Sequence, residues 1–352
     1  MTHTGEGATL RFRPLRAAHS ATSVATSAFT APSTMRAVVF DETGAPDVLH
    51  VADMPVPSPV LSEVLVRVVA AGINPIDAKT RAGAGVSGAV PSLPSTLGFD
   101  LSGIVVASPF EAHPFPPGTE VFGTVAFPRT GGSYAEYAVV PTLSLARKPT
   151  TLSHAEAAAV PLAALTAWGL VVETAHAHEG QSILIHAGSG GVGHFAVQLA
   201  AYFGARVTTT ASAGNAQWLR ELGAAEVIDY RSTRFEDVLT EVDVVIDLVG
   251  NAADDTGTRS LQVLRPGGLY VLVPTGSWPG YAEAARAAGV RATSYKYIPD
   301  GDVLATIARL LDSRSIQVYV DKVYELTDAA AAHTSLEQGH TRGKTVLQVG
   351  EA

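Results

Sequence analysis

Gly188-Ser189-Gly190-Gly191-Val192-Gly193 is the stretch of this chain whose residue types and spacing most directly imply chemistry. It lies between an apolar strand, Ser182-Ile183-Leu184-Ile185-His186, and a helix with apolar positions Val192, Phe195, Ala196, Leu199, Ala200 and Phe203. A lone G-x-G-x-x-G is weak evidence, but strand, turn and helix together are the context that a dinucleotide site requires. Gly188 permits the tight turn, Gly190 lets the backbone approach a pyrophosphate, and Gly193 lets helix and strand pack closely. Ser189, Gly191 and Val192 complete the loop, and the helix N-terminus offers free N–H groups to phosphate. A purely structural glycine-rich turn is the lesser alternative.

The next strand discriminates between the nicotinamide dinucleotides. An NAD site presents an acid about 20 residues past the glycines, where it holds the ribose diol. Here the strand ends Thr208-Thr209-Thr210-Ala211-Ser212, no acid appears before Glu221, and Asn215 is polar but neutral. A carboxylate would repel a 2′-phosphate, so its absence favours NADPH. Tyr230 and Arg231, at the end of the following strand, are candidates to pack on the adenine and contact the phosphate.

These residues need a two-domain scaffold, and 352 residues suit one. The chain has no cysteine, which excludes disulfides, thiolate zinc sites and cysteine nucleophiles. Its eleven histidines show no metal-binding spacing, and His176 and His178 read as a loop or helix-end pair. No apolar run is long enough to span a membrane. The net charge of −9 argues against a nucleic-acid surface. Residues 1–34 hold seven Thr, four Ser and one acid without an apolar period, so they read as a disordered extension. An organellar targeting segment and an early start before Met35 are the alternatives, and a cytoplasmic location is expected.

From Met35 to about residue 150 the chain is strand-rich, as in Arg36–Phe40, Glu63–Val69, Gly103–Ala107 and Glu120–Val125. Ser153 followed by Glu156 is a capping-box signature, after which the period becomes helical. Strands and helices then alternate, which predicts a doubly wound parallel sheet. A helix at Asp302–Leu311 and strands near Val318–Val323 and Thr345–Val349 close the chain and are expected to return to the first domain.

From Met35 onward the sequence resembles the zinc-free quinone oxidoreductase (zeta-crystallin-like) group of medium-chain dehydrogenases/reductases. The resemblance rests on Gly72–Asp77, Leu97–Gly103, Gly131–Tyr137, Pro161–Trp168, the glycine loop with Gln198, Leu264–Gly268 and Gly343–Leu347. It implies an α/β protein with a GroES-like β-rich catalytic domain (residues 35–158 and 299–352) and an inserted Rossmann domain (residues 159–298). It also implies a homodimer that uses NADPH to reduce quinones or the activated C=C bond of enones and enals. Zinc-dependent relatives carry Gly-His-Glu where this chain has Gly98-Phe99-Asp100, so a metal-free mechanism is expected.

In conjugate reduction negative charge develops on the carbonyl oxygen, and one donor aimed there contributes roughly 3 kcal/mol. Lys79, where quinone-reducing relatives often have Tyr and enone-reducing ones Lys, and Asn74 are the candidate donors. Asn74 has the alternative roles of orienting the ribose or Lys79, or of stabilising the turn at Pro75. Proton delivery falls to water or Tyr134, while Asp77 reads as a turn or helix-cap residue. Towards the cofactor the expected residues are Thr166, the glycine loop, Ser212, Asn215, Tyr230, Leu248, Val249, Val273 and Lys344. Phe127, Trp278 and Tyr281 are candidate pocket walls, and Thr275–Gly280 a candidate lid. An enoyl-thioester reductase and a cofactor-binding protein without turnover are the competing functions.

Overall fold

The computed structural model describes residues 31–128, 132–252 and 254–352. Residues 1–30 of the N-terminal extension and Gly131 lie outside them. The β-rich part contains β1 (Thr34–Phe40), β2 (His50–Pro55), β3 (Glu63–Ile73) and β4 (Ser95–Thr96). It continues with β5 (Asp100–Ala107), β6 (Glu120–Thr124), β7 (Tyr137–Pro141) and β8 (Leu145–Arg147). Beyond them come β9 (Ser182–Ile185), β10 (Arg206–Ala211), β11 (Glu226–Asp229), β12 (Val242–Asp247), β13 (Leu264–Leu272) and β14 (Arg291–Ser294). The last two strands are β15 (Val320–Glu325) and β16 (Lys344–Gln348).

β3 organises the first sheet. It is eleven residues long and pairs antiparallel with β5, β7 and β16. Its Val64, Val66 and Val68 are buried with Leu101, Val121 and Leu347, so β16 contributes to the same core as strands almost three hundred residues earlier. The path β15-β16-β3-β5-β6-β8 follows from these pairings, and β2-β1-β4 forms a smaller sheet.

The second large sheet has the order β11-β10-β9-β12-β13-β14, all parallel. Both faces are covered, which explains its nearly unbroken apolar strands. Ile183, Ile185, Val244 and Ile246 enter one core, whereas Leu184 and Val245 enter the other. The strand order reverses between β9 and β12, and ligands of such sheets bind beyond the carboxyl ends at that reversal. The glycine loop leaves β9 there.

The helices are α1 (Pro75–Arg81), α2 (His154–Ala158), α3 (Pro161–Trp168), α4 (Gly193–Tyr202), α5 (Ala216–Glu221), α6 (Thr256–Val263), α7 (Tyr281–Ala287), α8 (Gly301–Asp312) and α9 (Ala329–Glu337). The Ser153 capping box is present: Glu156 N–H donates to Ser153 Oγ at 3.2 Å, and Ser153 N–H to Glu156 Oε2 at 2.8 Å. At Gly193 a Cβ would lie 2.2 Å from the Ala187 carbonyl oxygen and 2.8 Å from Gly188 Cα. Both are backbone atoms that cannot turn aside. Gly193→Ala is therefore expected to lower the unfolding free energy by about 1–3 kcal/mol, the scale of overpacking. Urea denaturation measures this, and an unchanged midpoint would disprove the close-packing account.

Candidate active site

The glycine loop is shaped by the strand beside it. A Cβ at Gly188 would lie 2.0 Å from Thr209 Oγ1, so only glycine fits under β10. Gly188 N–H donates to the Thr210 carbonyl at 3.1 Å, and Ala187 N–H to Thr210 Oγ1 at 3.2 Å. At Gly190 a Cβ would meet only the Ala187 carbonyl oxygen, at 3.3 Å, so the outer face of the loop is otherwise open. That open backbone fits a pyrophosphate. Ser212 and Asn215 follow the end of β10, with Asn215 Nδ2 donating to Ser212 Oγ at 3.2 Å. Tyr230 is exposed beside them, its N–H on the Ala211 carbonyl at 3.3 Å and the Arg231 guanidinium over its ring.

Leu248 and the exposed Val249 stand just past β12, and Val273 just past β13, on the same side of the sheet as the loop. Thr166 is buried in α3, and its hydroxyl donates to the Leu162 carbonyl at 2.7 Å. Its lone pairs stay available to an amide donor.

Asn74 begins α1 and is 2% exposed. Its Nδ2 donates to Asp100 Oδ2 at 2.9 Å, and its Oδ1 accepts from Lys344 Nζ. Lys344 Nζ also donates to the Ile73 carbonyl at 2.8 Å and lies 3.5 Å from Asp100 Oδ2. Asp100 Oδ1 in turn accepts the Leu162 N–H that begins α3, at 2.8 Å. Lys344, expected among the cofactor-binding residues, lies beside the glycine loop through its stem and not its ammonium. Its ammonium is committed to the β-rich part, and what reaches the glycine loop is its stem beside Gly191 and the Gly343 N–H, 2.9 Å from the Ser189 carbonyl. A buried ammonium takes the nearest carboxylate and carbonyls because leaving it unpaired costs several kcal/mol.

Tyr134 also departs from expectation. It is fully buried, with its hydroxyl 3.3 Å from Asp77 Oδ2 and 3.2 Å from His333 Nε2. The Arg81 guanidinium approaches His333 Nδ1 at 3.4 Å and pairs with Glu337 at 2.5 Å. Tyr134 thus belongs to an interior chain of polar groups that links α1 and α9, and among the described residues it is fully buried. Burial and the neighbouring Arg81 charge push the His333 imidazole down to about 3. Asp77 acts as the helix-cap residue anticipated, accepting the Asn74 N–H at 2.8 Å. Lys79, on the same helix, is exposed.

Of the suggested pocket aromatics, Trp278 and Tyr281 come together and line a small cavity with Val273 and Thr275, while Phe127 lies apart from them. Trp278 packs on Tyr270 at 5.7 Å, and Tyr281 joins the core on that face of the parallel sheet. Phe127 instead lies between Phe99 and Tyr297, with centroids at 5.0 and 5.1 Å, and Tyr297 hydrogen-bonds Thr124 at 2.8 Å. Tyr297 and Arg342 were missed in the sequence because their partners are far away in it; Arg342 Nε donates to Asn215 Oδ1 at 2.8 Å.

Residues 61–150 match the alcohol dehydrogenase GroES-like domain, and residues 222–347 a domain described as zinc-binding dehydrogenase. The 2-methylene-furan-3-one reductase of Solanum lycopersicum is 35% identical over 348 residues, spanning 95% of this chain and 85% of that protein. The quinone oxidoreductase structure from Coxiella burnetii has a TM-score of 0.85 at 38% identity, covering 90% of this chain and 99% of the other. The chain belongs to the zinc-free quinone oxidoreductase group of the medium-chain dehydrogenases/reductases. Another oxidoreductase of this kind, that of Escherichia coli complexed with NADPH, has a TM-score of 0.79 at 31% identity and covers 89% of this chain and 100% of its own.

In this oxidoreductase Phe99 is buried and packs edge to face on Phe127. Among the described residues no three His, Asp or Glu side chains are grouped to hold a metal ion, and no helix is long and apolar enough to cross a membrane.

Burial raises the Asp77 carboxyl to about 7, against the Asn74 N–H that favours its charged form. A group raised on folding binds its proton more tightly in the folded state, so it subtracts stability as pH climbs from the unfolded value towards the folded one. Asp77→Asn removes that titration. The stability of the variant relative to the parent is expected to rise between pH 4 and 7, by up to about 1.4 kcal/mol per pH unit. Urea denaturation across that window tests this, and a constant difference would rule it out.

Proposed function

We propose that this oxidoreductase reduces quinones or the activated C=C bond of enones and enals with NADPH, without a metal ion. The observation that carries the reading is the acid-free end of β10, where Ser212 and Asn215 stand beside a glycine loop whose backbone is open to a pyrophosphate. Bound NADPH supplies the hydride, and the protein contributes orientation and charge stabilisation. Leu248, Val249 and Val273, at the β12 and β13 ends, would hold the nicotinamide from the sheet side, and the Thr166 hydroxyl would be the acceptor for an amide donor.

Asn74 has one amide hydrogen left after its bond to Asp100, enough to orient the ribose or the substrate. Lys79 provides the exposed cation for the developing oxyanion. With the Tyr134 hydroxyl buried, water delivers the proton to the α-carbon. Homodimer formation and cytoplasmic residence are part of the same proposal. Among the described residues β11 and β14 are both edge strands of the parallel sheet, and such an edge is a template on which a second chain could pair.

NADPH oxidation is to be followed with a panel of quinones, enones, enals and enoyl thioesters. Turnover is expected with the first three classes. Tight NADPH binding without turnover of any acceptor would overturn the reading, and exclusive use of enoyl thioesters would reassign it. Lys79→Ala is expected to lower kcat by about 100-fold, the scale of one oxyanion donor, with NADPH affinity intact. An unchanged kcat would remove Lys79 from the mechanism.

A further inference from the structure

We propose that Arg342, from the loop before the last strand, is the residue that reads the 2′-phosphate and so sets the preference for NADPH over NADH. The proposal rests on the NADPH reading above and assigns a residue to its selectivity. In a doubly wound sheet the adenosine ribose falls at the end of the second strand, here β10. The side chains there, Ser212 and Asn215, are neutral, and a phosphate of nearly two negative charges calls for a cation.

Arg342 supplies one from the other end of the chain. Its Nε donates to Asn215 Oδ1 at 2.8 Å and its Nη2 to the Gly214 carbonyl at 3.4 Å. Its guanidinium lies over the rings of Trp218 and Tyr319, 5.2 and 5.7 Å from their centroids. None of these partners is a carboxylate, so the positive charge is held in place without being neutralised. Among the described residues two of its five N–H donors are used and three remain. A guanidinium whose plane is already set by stacking and hydrogen bonds loses little freedom on meeting an anion.

The backbone fixes Arg342 relative to the pyrophosphate loop as well. Gly343, the next residue, has φ +66° and donates its N–H to the Ser189 carbonyl at 2.9 Å. A Cβ at Gly343 would lie 2.2 Å from the Tyr319 carbonyl oxygen, so only glycine brings the loop this close. The cation therefore has a set offset from the loop that binds the diphosphate. Arg231, the other cation near this strand end, lies over the exposed ring of Tyr230 and is the rival.

The test is equilibrium binding, followed by fluorescence or calorimetry, of NADPH, NADH, 2′,5′-ADP and 5′-AMP to the full chain and to Arg342→Gln, Arg342→Lys and Arg231→Gln. The parent is expected to prefer 2′,5′-ADP to 5′-AMP. In Arg342→Gln, affinity for NADPH and 2′,5′-ADP should fall about 10- to 100-fold, the worth of charge-assisted hydrogen bonds. NADH and 5′-AMP affinities should be retained, which also shows that the variant is folded, and Arg342→Lys should recover part of the preference. Equal weakening of all four ligands would make Arg342 merely structural and overturn the proposal. So would selectivity that survives Arg342→Gln but disappears in Arg231→Gln. A parent without preference for the 2′-phosphate would overturn the NADPH reading together with this one, whereas a parental preference that Arg342→Gln leaves intact would overturn the assignment of Arg342 alone.

Discussion

The buried ammonium of Lys344 is the constraint on which much of the molecule depends. Taking it out of water costs several kcal/mol unless its neighbours replace the lost hydration. They do so from three places: the Ile73 carbonyl at the end of β3, the Asn74 amide beginning α1, and Asp100 beginning β5. Asp100 also holds the first N–H of α3. One charge therefore ties the C-terminal strand, the turn that begins α1 and the helix carrying Thr166 to a common point. Because Gly343 binds the Ser189 carbonyl, that point is also attached to the glycine loop.

A second polar chain supports the first from behind. Arg81, His333, Tyr134 and Asp77 follow one another at 3.4, 3.2 and 3.3 Å. Arg81 N–H donates to His333 Nδ1, which leaves the other ring nitrogen to carry the hydrogen facing Tyr134, and the Tyr134 hydroxyl donates to Asp77. Asp77 completes the sequence by accepting the Asn74 N–H. The orientation of Asn74 is thereby set twice, through its side chain and through its backbone. Low local dielectric strengthens each of these bonds, although both that reach Asp77 fall on its Oδ2 and leave its buried Oδ1 without a partner among the described residues. This explains how a tyrosine beside the candidate site is a structural residue.

The parallel sheet contributes differently. Its strands deliver alternating residues to two separate cores, so their positions are determined by packing on both faces. Its loops at the strand reversal are left to make contact with ligand. The glycine loop, the neutral end of β10 and the residues past β12 and β13 all lie at that end. Phe99, Phe127 and Tyr297 pack edge to face in the β-rich part.

Local patterns in the chain were enough to establish much of this. The strand before Gly188, the helix after it, the capping box at Ser153 and Glu156, and the missing acid after Thr210 are all readable because propensity, periodicity and turn chemistry act within a few residues of each other. The same patterns predicted the α4 boundaries to within one residue, Val192–Phe203 against Gly193–Tyr202. Tyr134 and Lys344 were recognisable as part of family segments, but not as buried, because burial is set by what packs around them. Arg342 and Asn215 are 127 residues apart, and Lys344 and Asn74 are 270 apart. No local rule connects such pairs. Lys344 meets Asn74 because β16 lies against β3, and Arg342 meets Asn215 because the loop before β16 lies against the glycine loop; both are properties of the folded chain as a whole.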